Sequence, residues 1–357
     1  MQAVRALIVT AAFLAIAGIA SAAAPQPTTL VHAPAPVKAL AQDGGLLAWL
    51  GGDGKKCNSV HVTGGGTTYV LPQPSNKSMT CHWALSSGTV ELAIAAGAAA
   101  ALWTLHERSA DLVITAQQAG GKEIKVDQLA HLDGTGWWLG GIAGGGTTLA
   151  YSSVDVAYVD PLGCASGGSC KKKIAGGGID LVTAGQKIVL RKAGPALGPA
   201  ISNGRIAYIR ATTVAKNGSP ASSSGATVPV EDISTGAIIS QAKPVGVPLA
   251  VGLSSHVLAI LSRNVHILRL SWYDPATGKK LGGIGVPVQT APTLAVNDQF
   301  VVFRFGRHIR ALVLATRHVH PLGKTATNYL GLSLDSGRLV WAENHKTSGV
   351  IRALPIH

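Results

Sequence analysis

Gly204-Arg-Ile-Ala-Tyr208 is one copy of a five-residue phrase that recurs along this chain of 357 residues. In every copy the third position is apolar and the fourth is small or aliphatic. The fifth is aromatic in all copies except the one ending at Ile260, although aromatic residues make up 5% of the chain. The copies occupy residues 45–49, 99–103, 147–151, 204–208, 256–260, 299–303 and 337–341.

Residues that form tight turns precede each copy, as in Asp43-Gly44, Asn203-Gly204 and Ser336-Gly337. Such residues tolerate a positive φ. A short apolar run that follows a tight turn predicts a fully buried strand. Further short strands follow the copies, and two of their hairpins turn on residues 232–236 and 274–278, where an Asp can bond the backbone ahead of it and a Gly takes the left-handed position.

Repeats of 38 to 57 residues with three or four short strands, one of them buried, are typical of β-propeller blades. Seven copies predict an all-β fold with a single propeller, most simply of seven blades, although six or eight remain open. A pair of β-sandwiches is the alternative, but it would not produce one phrase from end to end. The last copy leaves room for two strands, near 338–342 and 350–354, so we expect the N-terminal segment, around 29–32 and 37–40, to complete that blade and close the ring.

Residues 1–24 have the pattern of a signal peptide. Arg5 supplies a positive start, residues 7–24 are uncharged, and Ala20-Ser21-Ala22 fits a cleavage site. An uncleaved N-terminal anchor is the alternative, because an uncharged run of this length is at the short limit for spanning a membrane. The sequence therefore predicts an exported protein (secreted, periplasmic or at the cell surface) whose propeller occupies 25–357 and has no membrane span after cleavage.

The cysteines fit this interpretation. Cys57 lies near Cys81, and Cys164 lies near Cys170. Neither pair has C-x-x-C spacing, and no His lies at zinc-finger distance from both pairs. Two local disulfides in an oxidising compartment are therefore expected, rather than a metal site.

The formal net charge of +13 favours anionic polymers and lipid surfaces as partners. The excess of positive charge grows toward the C-terminus, where Arg304, Arg307 and Arg310 are candidate anion contacts; a solvated face is the alternative. The run 171–173 of three Lys residues has the same two interpretations. No nucleic-acid motif is present, and nucleic acid is not an expected partner.

His318 and His320 alternate on a predicted strand, which puts both imidazoles on one face. They could bind a ligand or form half of a metal site, but no third ligand is identifiable, and we predict neither a metal nor another cofactor. Gly252-Leu-Ser254 begins a serine-hydrolase elbow without its second Gly. Acidic residues number 17 and are dispersed, which leaves little material for a carboxylate pair or a calcium site. No catalytic residue is predicted.

The phrase and its turn, as in Ala41-Gln-Asp-Gly44 before Leu47-Ala-Trp49, resemble the repeats of secreted WD40-like propellers of the TolB type. The resemblance covers residues 30–357, but no copy has the full Ser-Pro-Asp-Gly turn of those repeats, and no TolB-like N-terminal domain precedes the propeller. It implies a propeller fold and an exported, non-enzymatic binding role.

These observations predict a monomeric binding or scaffold module for a protein or an anionic envelope polymer. The alternative is a propeller enzyme, a hydrolase or lyase, with a site assembled from several blades at the channel mouth. A cluster of Asp, Glu, His and Arg at that mouth would favour the enzyme, and an apolar mouth would favour the scaffold.

Overall fold

Four-stranded antiparallel sheets follow one another along the chain and form a seven-bladed β-propeller in the computed structural model. In each blade the strands are ordered from the central channel outward. The structure describes residues 26–52, 58–72, 91–106, 110–122, 124–131, 136–160, 162, 164, 170–183, 189–191, 194–216, 220–223, 225–287, 293–325 and 329–357.

The strands are numbered in chain order, and β1 (Thr28–Ala33) precedes the first blade. The first blade contains β2 (Ala39–Asp43), β3 (Leu46–Gly52), β4 (Asn58–Gly64) and β5 (Thr67–Pro72). The second contains β6 (Glu91–Ala95), β7 (Ala98–His106), β8 (Ala110–Gln118) and β9 (Ile124–His131). The third contains β10 (Gly136–Gly145), β11 (Thr148–Tyr158), β12 (Lys172–Thr183) and β13 (Val189–Arg191).

The fourth blade contains β14 (Ala196–Ser202), β15 (Arg205–Arg210), β18 (Val228–Asp232) and β19 (Ile238–Ala242), with a small hairpin of β16 (Thr213–Val214) and β17 (Pro220–Ala221) inserted after β15. The fifth contains β20 (Val247–Leu253), β21 (Leu258–Asn264), β22 (Ile267–Tyr273) and β23 (Lys280–Val286). The sixth contains β24 (Leu294–Val296), β25 (Phe300–Phe305), β26 (His308–Val313) and β27 (His318–Lys324). The seventh contains β28 (Tyr329–Asp335), β29 (Arg338–Asn344), β30 (Gly349–Pro355) and β1.

The recurring phrase forms the second strand of every blade. Its third position is buried in all copies, and its described fifth-position side chains are buried too. The buried-strand prediction is confirmed. Because the other recognisable strands follow the phrase in the sequence, the sequence predicts that it is the first strand of its blade; the structure shows that it is the second. The innermost strands were missed because they share no recurring aromatic position and several are short, as in Ala39–Asp43 and Leu294–Val296.

In the seventh blade, β1 pairs antiparallel with β30, from Thr28 opposite Ala353 to Ala33 opposite Gly349. The predicted strand at 29–32 is therefore present, whereas the predicted strand at 37–40 was wrongly assigned: its end, together with the residues after it, forms the inner strand of the first blade. The seventh blade also has an inner strand of its own, β28, so three of its strands come from the C-terminal end of the chain.

Strand alternation gives the disc two faces. We call the mouth face the one that carries the turns from first to second strand and from third to fourth strand. We call the far face the one that carries the turns from second to third strand and the connections between blades. The two Asp-initiated hairpins lie on the mouth face, and the predicted bonds from Asp to the backbone ahead are present. Thr235 N and Thr277 N donate to the Oδ1 atoms of Asp232 and Asp274, at 2.8 and 3.2 Å.

Neighbouring blades pack their buried strand faces together. The fifth and sixth blades, for example, share a core that contains Trp272, Leu261 and Phe303. The inner strands approach so closely that a Cβ on Gly144 would lie 1.9 Å from the carbonyl oxygen of Ile94 in the preceding blade. Within the described residues, no helix has the length and apolar character needed to cross a membrane.

Candidate functional site

Apolar and small residues of the seven inner strands line the central channel, a cavity of about 280 Å³. Its lining includes Leu40, Ile94, Ala200 and Val251, and the polar side chains among the described lining residues are those of Gln42 and Ser333. No ionisable side chain is among these described lining residues. The described residues that line this cavity therefore include no general acid and no general base.

Carboxylates appear at the wider mouth, a cavity of about 710 Å³ whose described ionisable residues are Asp43, Asp298 and Asp335. Two of these aspartates hold neighbouring blades together. Asp335 Oδ2 accepts a 3.0 Å hydrogen bond from Gly45 N of the first blade, and Asp298 Oδ1 accepts one of 2.8 Å from Ser255 N of the fifth blade. These two carboxylates therefore connect neighbouring blades through hydrogen bonds from backbone amides.

Gln42 locks the first blade to the seventh just below this mouth. Its buried amide donates 2.6 Å hydrogen bonds to the carbonyl oxygens of Ser333 and Arg338, and its Oε1 accepts a 3.1 Å bond from Arg338 Nε. Burial first, and the neighbouring carboxylate of Asp335 second, raise the pKa of Asp43 above its ordinary value. The ionised carboxylates of Asp43 and Asp335 therefore repel each other where the first and seventh blades meet.

An apolar groove of about 310 Å³ opens between the second and third blades on the mouth face. Its lining includes Ala100, Ala116, Ile124, Leu149 and Val182. Lys122 is the ionisable residue among the described lining side chains, and Ile124 is 58% exposed at the groove's edge. A groove of this kind between blades suits an apolar side chain of a protein partner.

Among the described residues, the far face is rich in exposed cations. Exposed Lys and Arg side chains lie in its turns and connections, whereas Asp160 is the exposed carboxylate among the described residues there, since Glu343 is half-buried and paired with Arg352 at 3.3 Å. The exposed cations of this face are Lys38, Lys171, Lys216, Lys243, Arg263, Arg307, Lys324 and Lys346. On the mouth face, in contrast, Asp43, Asp232, Asp274, Asp298 and Asp335 accompany the basic residues.

Arg304, Arg307 and Arg310, which the sequence suggests as joint anion contacts, have different environments in the structure. Arg307 is exposed in the far-face hairpin of the sixth blade. Arg304 and Arg310 are half-buried on strands: Arg304 Nε donates a 2.7 Å bond to Gly306 O, and the Arg310 guanidinium lies 4.0 Å from the centre of the Phe305 ring. Arg304 is opposite Ile309 and Arg310 is opposite Phe303, so the two point to opposite faces of the blade.

His318 and His320 are exposed on β27, the outermost strand of the sixth blade, opposite Val313 and Ala311. They share one strand face and lie at the rim of the disc, away from the channel. In the part of the chain that the structure describes, no group of three His, Cys, Asp or Glu residues could hold a metal ion.

One predicted disulfide is present: Cys164 and Cys170 are bonded, with their Cα atoms 4.8 Å apart. Cys57 and Cys81 lie outside the described residues, and their pairing stays a prediction. Beside the bonded pair, Lys171, Lys172 and Lys216 line a far-face cavity of about 470 Å³, and Lys172 Nζ lies 5.4 Å from the centre of the Tyr158 ring. The Lys run is therefore part of a cationic pocket rather than an isolated loop.

Sequence reasoning missed the polarity of the two faces, because the cations that build the far face are spread over the chain from Lys38 to Lys346. Counting the charged residues in the loop between the second and third strands of each repeat would have revealed this charge difference, since these loops all lie on one face. The reasoning also missed the apolar groove, whose lining comes from the second and third blades.

A scan against protein-family models finds no match for the chain, and a search of curated proteins finds none. Among solved structures, a chain of the mitotic checkpoint complex aligns with a TM-score of 0.53 at 11% identity, over 100% of this chain and 99% of that one. The Dos1 propeller aligns with a TM-score of 0.52 at 8% identity, over 92% and 94%. These similarities, at such low identity, show that the chain has the β-propeller fold.

Proposed function

We propose that this protein is an exported, non-enzymatic binding module that holds an anionic partner of the cell envelope on its far face. The observation that carries the proposal is the distribution of charge between the two faces of the disc. Among the described residues, most Asp side chains of the turns and connections lie on the mouth face, whereas the far face combines several exposed Lys and Arg side chains with Asp160. A surface of one sign attracts a polyanion and orients it before contact.

Several features support export and a non-enzymatic role. The first 24 residues fit a signal peptide, the repeats resemble those of secreted TolB-type propellers, and the Cys164–Cys170 disulfide fits an oxidising compartment. The described channel wall lacks ionisable groups, and two mouth aspartates bond to backbone. These features weigh against the alternative, a hydrolase or lyase at the channel mouth.

A matched pair of variants tests the proposal with polyphosphate as the probe. Replacing Lys243, Arg263 and Arg307 by Gln removes far-face charge, and replacing Lys279, Lys280 and Arg317 by Gln removes the same charge from the mouth face. We expect the first variant to bind polyphosphate more than tenfold more weakly at low salt, and the second to bind nearly as the parent does.

The binding should also weaken steeply as NaCl is raised from about 50 to 200 mM. Of the arginines that the sequence grouped, Arg307→Gln should have the largest effect, because Arg304 and Arg310 are half-buried on strands. Equal losses in the two triple variants, or binding that ignores salt, would contradict a far-face polyanion site.

A second candidate is a protein partner that inserts an apolar side chain into the groove between the second and third blades. The groove's apolar lining and the exposed Ile124 at its edge favour it. If a partner purified with the protein is lost on Ala116→Arg but retained by the far-face triple variant, the groove is the binding site.

A further inference from the structure

The far face also carries the most exposed large apolar side chains of the described chain. Leu162 is 84% exposed, Val265 77% and Ile267 62%. Val159 and Val245, on the same face, are 54% and 49% exposed. Isolated exposed apolar residues are ordinary, but these lie in two groups, each at the far-face end of one blade.

The first group is on the fifth blade. Val265 is in the hairpin between β21 and β22, two residues before Ile267. The loop that contains Val245 packs against the same hairpin: Ser262 Oγ donates a 2.8 Å bond to Val245 O, and a Cβ on Gly246 would lie 2.3 Å from Arg263 O. Lys243 and Arg263 border this group.

Val265 is in a backbone conformation that a β-branched residue rarely adopts, with φ at +56°. In the sixth blade the same position of the equivalent hairpin is occupied by Gly306, with φ at +64°. The fifth blade thus has a bulky apolar side chain at its tip where its neighbour has none, at the cost of backbone strain. Strain of this kind is often retained at sites that bind a partner.

The second group is on the third blade. Val159 and Leu162 lie in the excursion between β11 and β12, which the Cys164–Cys170 bond closes. Val159 N donates a 2.9 Å bond to Lys171 O, and Val159 lines the cationic cavity together with Lys171, Lys172 and Lys216. Again exposed apolar side chains are bordered by lysines.

We propose that the far face docks on an anionic phospholipid bilayer, with these two apolar groups inserted among the lipid headgroups and the surrounding cations on the headgroup charges. A soluble polyanion would pair with the cations but would leave the two exposed apolar groups in water. A bilayer surface offers anionic charge and hydrocarbon in one plane, which matches what the two blades present. This inference rests on the proposed function, because it identifies the anionic partner of the same face.

Flotation with lipid vesicles tests the inference. Val265→Ser with Ile267→Ser removes the fifth-blade tip without changing charge. Ile238→Ser with Ile239→Ser is the matched control, because it removes exposed isoleucines near the mouth-face end of β19. We expect the tip variant to bind vesicles of phosphatidylglycerol and phosphatidylcholine about tenfold more weakly, and the control to bind as the parent does.

Both variants should keep their melting temperature and their affinity for polyphosphate, so that a loss on vesicles reports insertion. Vesicles of phosphatidylcholine alone should bind weakly, and the far-face triple Gln variant should lose binding to the anionic vesicles by on the order of fivefold for each removed charge. A tip variant that binds anionic vesicles as tightly as the parent overturns the bilayer inference. If it does so while the charge variant still loses polyphosphate, the proposed function survives with a soluble polyanion as partner.

Discussion

The phenol of Tyr208 donates a 2.7 Å hydrogen bond to Oε1 of Glu231. Both side chains are buried, and Tyr208 packs against Ile179 and Leu181 of the third blade. Burial and the adjacent carboxylate raise the pKa of Tyr208 well above its ordinary value. A polar pair thus stands within an otherwise apolar interface between the third and fourth blades.

Tyr208→Phe should lower the free energy of unfolding at pH 7 by about 1–3 kcal/mol, because the Glu231 carboxylate loses this donor. Urea denaturation measures the change, and Glu231→Gln in both backgrounds completes a double-mutant cycle. Since the folded-state pKa of Tyr208 is raised, its contribution is fully present below its ordinary value of 10.0 and declines as the pH rises beyond it. The Tyr208→Phe variant should lose less stability than the parent as the pH becomes alkaline. If the effects of Tyr208→Phe and Glu231→Gln simply add in the double mutant, the coupling between the two side chains is contradicted.

Val265→Gly should raise the free energy of unfolding by about 0.5–1 kcal/mol, because glycine adopts the positive φ of this turn without strain. Gly306→Val makes the reverse change in the sixth blade. A Cβ there meets nothing within 4 Å, so its effect is conformational, and it should cost about 1–2 kcal/mol. Thermal and urea unfolding of both variants checks the pair, and a neutral Gly306→Val would refute the strain.

Asp43→Asn should stabilise the protein at neutral pH. Burial and the charge of Asp335 raise the pKa of Asp43, so the ionised form of Asp43 destabilises the folded state. This destabilisation grows as the pH rises from the ordinary pKa of 3.8 through the raised pKa of the folded state. The gain should therefore shrink on acidification to pH 3.

Asp232→Asn is the control with the opposite sign. Hydrogen bonds from Ser234 and Thr235 lower the pKa of Asp232 to about 2. The contribution of ionised Asp232 to stability is therefore present above the ordinary pKa of 3.8 and is lost as the pH falls from 3.8 to about 2. This variant should lose stability at neutral pH. Two variants that shift in the same direction at pH 7 would contradict the assignment.

Removing residues 26–33 should lower the melting temperature sharply, because it takes away β1 and leaves β30 as an exposed edge. That β1 holds the ring closed in solution is a prediction. A synthetic peptide of residues 26–34 should restore the melting temperature of the truncated protein by adding back the strand, and a scrambled peptide should not. A truncated protein that melts as the parent does would show that the ring closes without this strand.

Peptide mapping of the non-reduced mature protein should recover Cys57 linked to Cys81 and Cys164 linked to Cys170. The first bond would close a loop long enough to add about 3 kcal/mol by the chain-entropy argument. Crossed pairs or four free thiols in protein from its native compartment would contradict the expected topology or the expected export.

The fold was largely predictable because the second strand of each blade is buried on both faces and therefore carries a repeated apolar and aromatic pattern. The inner strands were not, since several of their residues, such as Ala41 and Gly144, face a narrow channel or a close neighbour and are small for steric reasons. Small residues give a weak strand signal, and the phrase was accordingly placed one strand too far inward.

The sequence predicted the positive charge of the candidate binding surface but not the position of that surface. The sequence indicated a basic protein but assigned the charge to a stretch, whereas Arg304 and Arg310 point to opposite sides of one blade. Side chains that share the far face, such as Lys38 and Lys243, are distant in the sequence, and their common side follows from strand direction alone. The strained tip at Val265 has no sequence signal beyond an unusual residue in a two-residue turn.

The pairing of Thr28 with Ala353 has a consequence for how the chain reaches its folded state. The hydroxyl of Thr28 donates to the carbonyl of a residue 325 positions later. β1 therefore pairs with a strand that is synthesised about 320 residues later, and this large sequence separation makes completion of the seventh blade a late and slow event. Until β30 has been synthesised, β1 has no partner strand, and Leu47 and Trp49 of the first blade lack the seventh-blade residues that cover them. The chain exposes apolar surface during this interval and depends on protection from aggregation.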